Sequence, residues 1–289
     1  MEEKKKEQKK KLRFRWWHFC YVFAGLVVLW WFNNYTIRIN KNAYVTDKVS
    51  TRFRIAVISD LHIHEGGISG EKVLEKISST DPDMVLVLGD MYTTGSTQDV
   101  IDMAAKAVTD IAAEGYPTYF VSGEHDTENY YIDKLAAGEV KVMNYREEAV
   151  EVKGNKVQLI GIDNAYYSPT FDLSNEFSVD KDSLSILLAH LQNYPKFADF
   201  GTDLTICADT HGGMFQLPFD LGPLVDPYNK DQWFPQLMTD NTVFDKGWFQ
   251  YPGGAMFITS GLGDSPYPAR FNNRPEVVVL DILPEKEGK

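Results

Sequence analysis

The stretch Arg54-Ile-Ala-Val-Ile-Ser-Asp-Leu-His62 constrains this chain more than any other. Residues Ile55 to Ile58 form a short, continuous apolar run, the pattern of a strand covered on both faces in a parallel sheet. The run stops at Ser59-Asp60, and a carboxylate and an imidazole emerge two residues apart. In α/β sheets the carboxyl ends of central strands are where ligands and metals sit. Taken alone, Asp-x-His also describes an ordinary strand-end turn with a capping Asp.

The corner recurs along the chain. Gly66, Gly67 and Gly70 make a loop, Glu71 to Ser79 has helical spacing at Val73, Leu74 and Ile77, and Asp81-Pro82-Asp83 stops it. Met84 to Leu88 reads as a second strand ending in Gly89-Asp90, and Thr97 to Glu114 as a long amphipathic helix. Tyr116 to Val121 is a third strand, with Gly123-Glu124-His125-Asp126 as its terminal loop. This alternation is a βαβ pattern and predicts an α/β fold.

Past a helix near Tyr130 to Ala137, strands dominate: Ala149 to Val152, Lys156 to Ile162, Ser185 to Ala189, Leu204 to Cys207, Ala255 to Ser260 and Glu276 to Ile282. They predict a second sheet packed against the first. Leu217 to Pro252 has little periodicity and reads as a long surface excursion, a lid or a substrate rim. Two more corners follow strands, Ala189-His190 and Asp209-Thr210-His211-Gly212-Gly213. Five of the six histidines, His62, His64, His125, His190 and His211, stand at or beside these corners. Each corner singly is an ordinary turn; five in a row, each ending an apolar strand, point to one shared polar pocket.

In this order the corners resemble the calcineurin-like metallophosphoesterase superfamily, whose pattern is Asp-x-His, Gly-Asp, Gly-Asn-His-Asp/Glu, a lone His and Gly-His-x-His. The tail from Gly261 to Ser265 and Ala269 to Glu276, with the apolar leader, is similar to membrane-associated bacterial phosphoesterases of the UDP-2,3-diacylglucosamine hydrolase type. The resemblance covers roughly residues 50 to 285. It implies two mixed β-sheets packed as a sandwich flanked by helices, with two divalent metal ions at the strand ends. It also implies that Asp60, His62 and His211 hold the first ion, that Asp90 bridges, and that His190 with positions 124 and 209 completes the second. Imidazoles mixed with carboxylates suit manganese first, with iron, zinc or magnesium as alternatives.

The sequence departs from the pattern at the second ion. Glu124 stands where the family has Asn, Asp209 where it has His, and Ala208 where it has Gly. Both ligand changes replace a neutral donor by an anionic one. Four carboxylates, Asp60, Asp90, Glu124 and Asp209, would neutralise two divalent ions and make bound water less acidic. A retuned enzyme and an impaired, non-catalytic scaffold are both compatible with this. For the enzyme, the resemblance implies metal-hydroxide attack on a phosphodiester or pyrophosphate. His125 would stand at the leaving oxygen as general acid or charge stabiliser, and Asp126 would orient its imidazole. Arg270 and Arg274 are candidates to meet a substrate phosphate, and His64 reads as a rim residue.

The first 15 residues hold eight of the 29 Lys/Arg and three of the 41 Asp/Glu, so the remainder carries 21 against 38. Such an acidic body repels polyanions, and general nucleic-acid binding is not expected. From Trp16 to Phe32 the chain is apolar apart from His18, with paired Trp at both ends. The expectation is a transmembrane helix over 16–33 with a cytoplasmic basic segment 1–15, a linker 34–51 and a catalytic domain 52–289 outside. A cleaved signal peptide and a buried core helix are the competing readings; no small-x-small cleavage site follows the run. Cys20 and Cys207 are too differently placed for a structural disulfide. A monomer acting on a phosphorylated small-molecule, lipid or envelope substrate is the expected state.

Overall fold

The computed structural model describes residues 17–163, 171–265 and 267–285. The basic segment expected over 1–15 lies outside the described residues. Two six-stranded mixed sheets face each other, as anticipated. The first has the order β1 (Arg38–Thr46), β12 (Glu276–Pro284), β2 (Phe53–Ile58), β3 (Met84–Val87), β4 (Thr118–Phe120) and β5 (Lys141–Val142). The second has the order β10 (Gly247–Tyr251), β11 (Gly254–Ile258), β9 (Leu204–Cys207), β8 (Leu184–Leu188), β7 (Asn155–Gly161) and β6 (Arg146–Val152).

The two-residue alternation of strand side chains builds the layers. Ile55 and Val57 of β2 point into the inter-sheet core, with Leu86, Leu159, Ile186, Leu188 and Ile206. Their neighbours Ala56 and Ile58 point the other way, onto helices α2 (Gly70–Ser78), α3 (Gln98–Ala113) and α4 (Asn129–Ala137) through Ile77, Ala104, Val108 and Leu135. The outer face of the second sheet is covered by α5 (Tyr194–Phe200), whose Phe197 packs with Leu187, Met256 and Ile258. Strands apolar on both sides are therefore sandwiched on both sides, as the unbroken run at Ile55 to Ile58 requires.

Three expectations need correcting. The segment read as a linker over 34–51 contains β1, which pairs in parallel with β12 over its whole length, Arg38 with Glu276 through Thr46 with Pro284. β12 belongs to the first sheet, between β1 and β2, and not to the second. The excursion from Leu217 to Pro252 ends in a regular edge strand, β10, paired with β11.

The apolar leader does form a helix, α1 (Trp17–Tyr35), but the transmembrane expectation is not met. Among the described residues no helix is long and apolar enough to cross a membrane. His18, the two Asn at 33 and 34 and the terminal Trp and Tyr residues dilute the run. Only its last turns are covered, at Asn33 and Asn34, while Phe19 to Phe32 are exposed.

Candidate metal centre

The corners converge because β2, β3 and β4 run parallel to one another, as do β8 and β9, so their loops leave from one sheet end. Five residues at these ends have positive φ: Asp60 (49°), His62 (41°), Asp90 (53°), Asp209 (71°) and His211 (48°). A side chain in this left-handed region costs roughly 1–2 kcal/mol, and its concentration in one place marks a functional corner. The loops also close on glycine. A Cβ on Gly123 would lie 2.1 Å from Asp90 Oδ1, and one on Gly89 would lie 2.2 Å from the Gly123 nitrogen.

Three sets of donor atoms lie within 4.8 Å of one another: Asp60, His62 and His211; His62, Asp90 and His125; and Asp60, Asp90 and His190. The imidazoles are contiguous, with His62 stacked 5.2 Å from His211 and edge-on 5.1 Å from His125. Asp209 Oδ1 stands 3.8 Å from His190 Nε2. Glu124 reaches within 3.7 Å of His125 Nε2, with its side chain 57% exposed. Glu124 and Asp209 line a cavity of about 600 Å³ with His62, Asp90, His125 and His211, but stand outside the three tight sets.

Whether these residues fit a cation is answered by two buried atoms. Asp60 Oδ1 and His190 Nε2 have no hydrogen-bond partner, although both are fully enclosed. Buried polar atoms are rarely left so, because each costs about 1–3 kcal/mol. His190 Nδ1 is 2.5 Å from the Leu88 carbonyl oxygen and must donate its proton there, so in the neutral imidazole, the form that ligates a metal, Nε2 carries the lone pair. That lone pair faces Asp90 Oδ2 at 3.2 Å and Asp60 Oδ1 at 3.8 Å. Three acceptors turned toward one another without a donor fit a metal ion.

Electrostatics carries the same message. Burial, with Asp90 and Asp209 nearby, pushes Asp60 up to about 7 despite the opposing His190 and Ser59 contacts. Burial likewise raises Asp209 to about 6, with Glu124 and Asp90 adding to it. Burial lowers His62 to about 4 and, with Arg270, holds His211 well below the usual range. His190 is the exception: burial opposes its charge, but Asp90, Asp60 and Asp209 outweigh it and hold its pKa well above normal. A cation would relieve the carboxylates and leave the imidazoles neutral, the form in which they ligate.

Several roles differ from those expected. Asp126 does not touch His125. Its carboxylate accepts backbone N–H bonds from Asp90 (2.6 Å), Met91 (3.2 Å) and Gly123 (2.9 Å), and so pins two corners together. Thr94 holds His125 instead: its backbone N–H donates to Nδ1 at 3.1 Å and its hydroxyl lies 2.8 Å from the same atom. An amide can only donate, so neutral His125 carries its proton on Nε2, facing the pocket. The Thr93 hydroxyl alone meets His62 Nδ1, at 3.0 Å.

Arg270 is not a surface residue. It is 1% exposed and donates to the Gly263 and Ser260 carbonyls, with Nη2 3.4 Å from His211 Nδ1. Asn34 of α1 brackets the same residue, accepting from Arg270 N–H at 2.9 Å and donating to Arg270 O at 3.1 Å. Arg274 lies outside the pocket, beside α1. His64 pairs with Asp264 at 2.9 Å on the rim. Thr93, Thr94, Asn34 and Arg270 are partners that sequence reasoning missed or misplaced. The only signals were a Thr-Thr pair three residues after Gly89-Asp90 and an Asn pair ending an apolar run.

The profile of the calcineurin-like phosphoesterase family matches residues 53–233, a span that holds every corner described. This chain belongs to that family. It is 25% identical over 240 residues to the uncharacterized metallophosphoesterase YkuE of Bacillus subtilis strain 168, covering 80% of this chain and 79% of that protein. It is 27% identical over 179 residues to the uncharacterized metallophosphoesterase Cj0846 of Campylobacter jejuni, covering 57% of this chain and 46% of that one. Among solved structures, NAD nucleotidase (NadN) of Haemophilus influenzae gives a TM-score of 0.47 at 17% identity, covering 72% of this chain. This chain spans 45% of that structure's length. Membership brings with it divalent-metal binding and phosphoesterase chemistry as the family's general properties.

Proposed function

We propose that this chain is a phosphohydrolase using two divalent ions, manganese foremost, on phosphodiester or pyrophosphate bonds of a phosphorylated small molecule, lipid or envelope component. The observation that carries the reading is the pair of orphaned, buried acceptors, Asp60 Oδ1 and His190 Nε2, beside a histidine whose proton points into the same cavity. Asp60, His62 and His211 would hold one ion; Asp90, His190, Asp209 and Glu124 would hold the other, Asp90 being shared. When bound, such ions neutralise the phosphoryl charge and acidify water.

The chain's own residues do the remainder. His125 Nε2–H, fixed by Thr94, would hydrogen-bond to the leaving oxygen and stabilise the charge that develops there. Met214, Phe215, Leu224 and Pro227 give the cavity an apolar wall, and Lys230 adds a cation at its edge. The wall suits a substrate with an apolar or ring-bearing group next to the phosphate. The excursion from Leu217 to Pro252 supplies part of that wall, which supports its reading as a substrate rim. The exposed apolar helix α1 supports a location at the cell membrane.

The test is turnover of bis-(p-nitrophenyl) phosphate by the full chain with Mn²⁺. Asp90→Asn and His125→Ala should each abolish it; unchanged rates in both reject the enzyme reading. One specific observation favours a second reading, a scaffold that keeps the fold without turnover: the Glu124 side chain is turned largely to solvent. Metal analysis separates the two. Two ions per chain support the enzyme, and one ion without turnover supports the scaffold.

A further inference from the structure

A second cavity, of about 470 Å³, lies between the last turns of α1 and the segments 218–219 and 271–274. It contains none of the strand-end ligands. Its apolar walls are Leu29, Phe32, Phe219 and Phe271, and its cations are Arg38 and Arg274. Phe219 is 92% exposed, on a backbone of positive φ (62°), so its ring is held out into solvent.

The charge in this cavity is not balanced. Arg38 is paired with Glu276 at 2.5 Å, and the same carboxylate oxygen also takes Asn40. Arg274 stacks on Phe32 with its guanidinium carbon 4.3 Å from the ring centre and donates through Nε to Thr36 Oγ1 at 3.0 Å. Among the described residues no carboxylate lies within ion-pair distance of Arg274. Burial and the neighbouring Arg38 charge both push the Arg274 pKa down, as expected for two cations sharing one enclosure. A chain of net charge −12 thus keeps two guanidiniums here with a single carboxylate, Glu276 on Arg38, and leaves Arg274 unneutralised.

The surroundings identify what would neutralise it. Beside the cavity α1 exposes Phe19, Val22, Phe23, Leu26, Trp30 and Trp31, each more than 40% accessible. An apolar surface of this extent marks an interaction site. Guanidiniums bind phosphate oxygens in a planar, forked geometry. A ligand with a phosphate at one end and hydrocarbon at the other satisfies both halves of the cavity.

We propose that this cavity binds the headgroup of an anionic phospholipid, with Arg38 and Arg274 on the phosphate and with α1 and Phe219 among the acyl chains. The site requires only that α1 enter one face of a bilayer. It is independent of the strand-end chemistry and stands or falls separately.

Binding of the full chain to vesicles of phosphatidylcholine, alone or mixed with phosphatidylglycerol, tests the proposal. The wild type should prefer the mixed vesicles. Arg274→Gln, which breaks no ion pair, should weaken binding to them about fivefold while leaving binding to pure phosphatidylcholine unchanged. Phe219→Ser should weaken binding to both. The control Lys72→Gln removes an exposed surface charge on α2 and should leave the preference intact. Hydrolysis of a soluble ester by Arg274→Gln should match the wild type and so report an intact fold. Equal binding by Arg274→Gln and wild type, or an equal loss in Lys72→Gln, overturns the proposal. So does full displacement from the vesicles by inorganic phosphate, which would mark a site for free anions.

Discussion

The proton on His125 is placed by the backbone of Thr94, and a backbone donor cannot change its role as pH changes. His125→Ala should therefore lower kcat by about 10²–10⁴-fold at unchanged metal content. Thr94→Val keeps the amide contact and loses only the hydroxyl. Its expected cost is about tenfold or less in kcat, since a single hydrogen bond contributes roughly 1 kcal/mol. Asp126 offers a different signature: Asp126→Asn can keep its oxygen on the Asp90 and Gly123 amides but then turns its NH₂ toward the Met91 N–H, and should cost about 1–3 kcal/mol in denaturant unfolding. The buried carboxyls also set a pH dependence. Asp60 and Asp126 near 7 and Asp209 near 6 keep protons that the unfolded chain has already released above its ordinary carboxylate range. Each therefore lowers the stability of the metal-free fold as pH rises toward those values, and raised His190 acts in the same direction. His62 and His211, both depressed, oppose this only below about 6.5. The metal-free melting temperature should fall between about pH 5.5 and 7.5, and Mn²⁺ should reverse the trend, as scanning fluorimetry can show. The candidate ligands were legible because carboxylates and imidazoles at strand ends have a recognisable place in the sequence. Thr94 was not, because nothing periodic marks a loop residue whose partner is far away in the chain, and Arg270 was singled out for a substrate phosphate and not for its place behind His211.

Elements were legible where burial is one- or two-sided and regular. β2, β3, β8 and β9 came through as apolar runs, and α2 and α3 through their 3.6-residue spacing. β1 was only partly visible: Tyr35 to Ile39 alternates like a short strand, but an edge strand needs little apolar content, and with Asn40, Lys41 and Asn42 facing solvent or polar partners the stretch from Asn40 to Thr51 reads as a connector. β12 was seen as a strand but assigned to the wrong sheet, because an apolar run carries no record of its neighbour. The docking of α1 was invisible for a related reason: Asn33 and Asn34 look like the polar end of a hydrophobic helix. Asn34 in fact grips Arg270, which backs His211. Asn34→Ala should therefore weaken metal affinity about tenfold or more, as removal of outer partners of a metal centre commonly does. Chelator competition measures this without reference to turnover. Unchanged affinity would show that α1 and the pocket are uncoupled.

On the scale of the whole molecule, the donor atoms come from both layers. Asp60, His62 and Asp90 follow strands of the first sheet, and His190, Asp209 and His211 follow strands of the second. An ion held between them is a clasp across the sandwich. Removal of metal from the full chain should lower the melting temperature by about 5–10 °C, the shift expected when a ligand at about 100 times its Kd is withdrawn from a domain of this size. Hydrogen exchange should rise first at the carboxyl ends of β2, β3, β8 and β9. The two-layer architecture itself came from the resemblance and not from periodicity, which shows that strands exist but not how they stack.

The pairing of β1 with β12 has a consequence for biosynthesis. Residues 38–46 must wait for a partner strand that follows them by 238 positions. Arg270 and Asn273, which support His211, are nearly as late. The pocket therefore cannot be completed before residues 270–284 have been made, and a nascent polypeptide should acquire its ions only after that point.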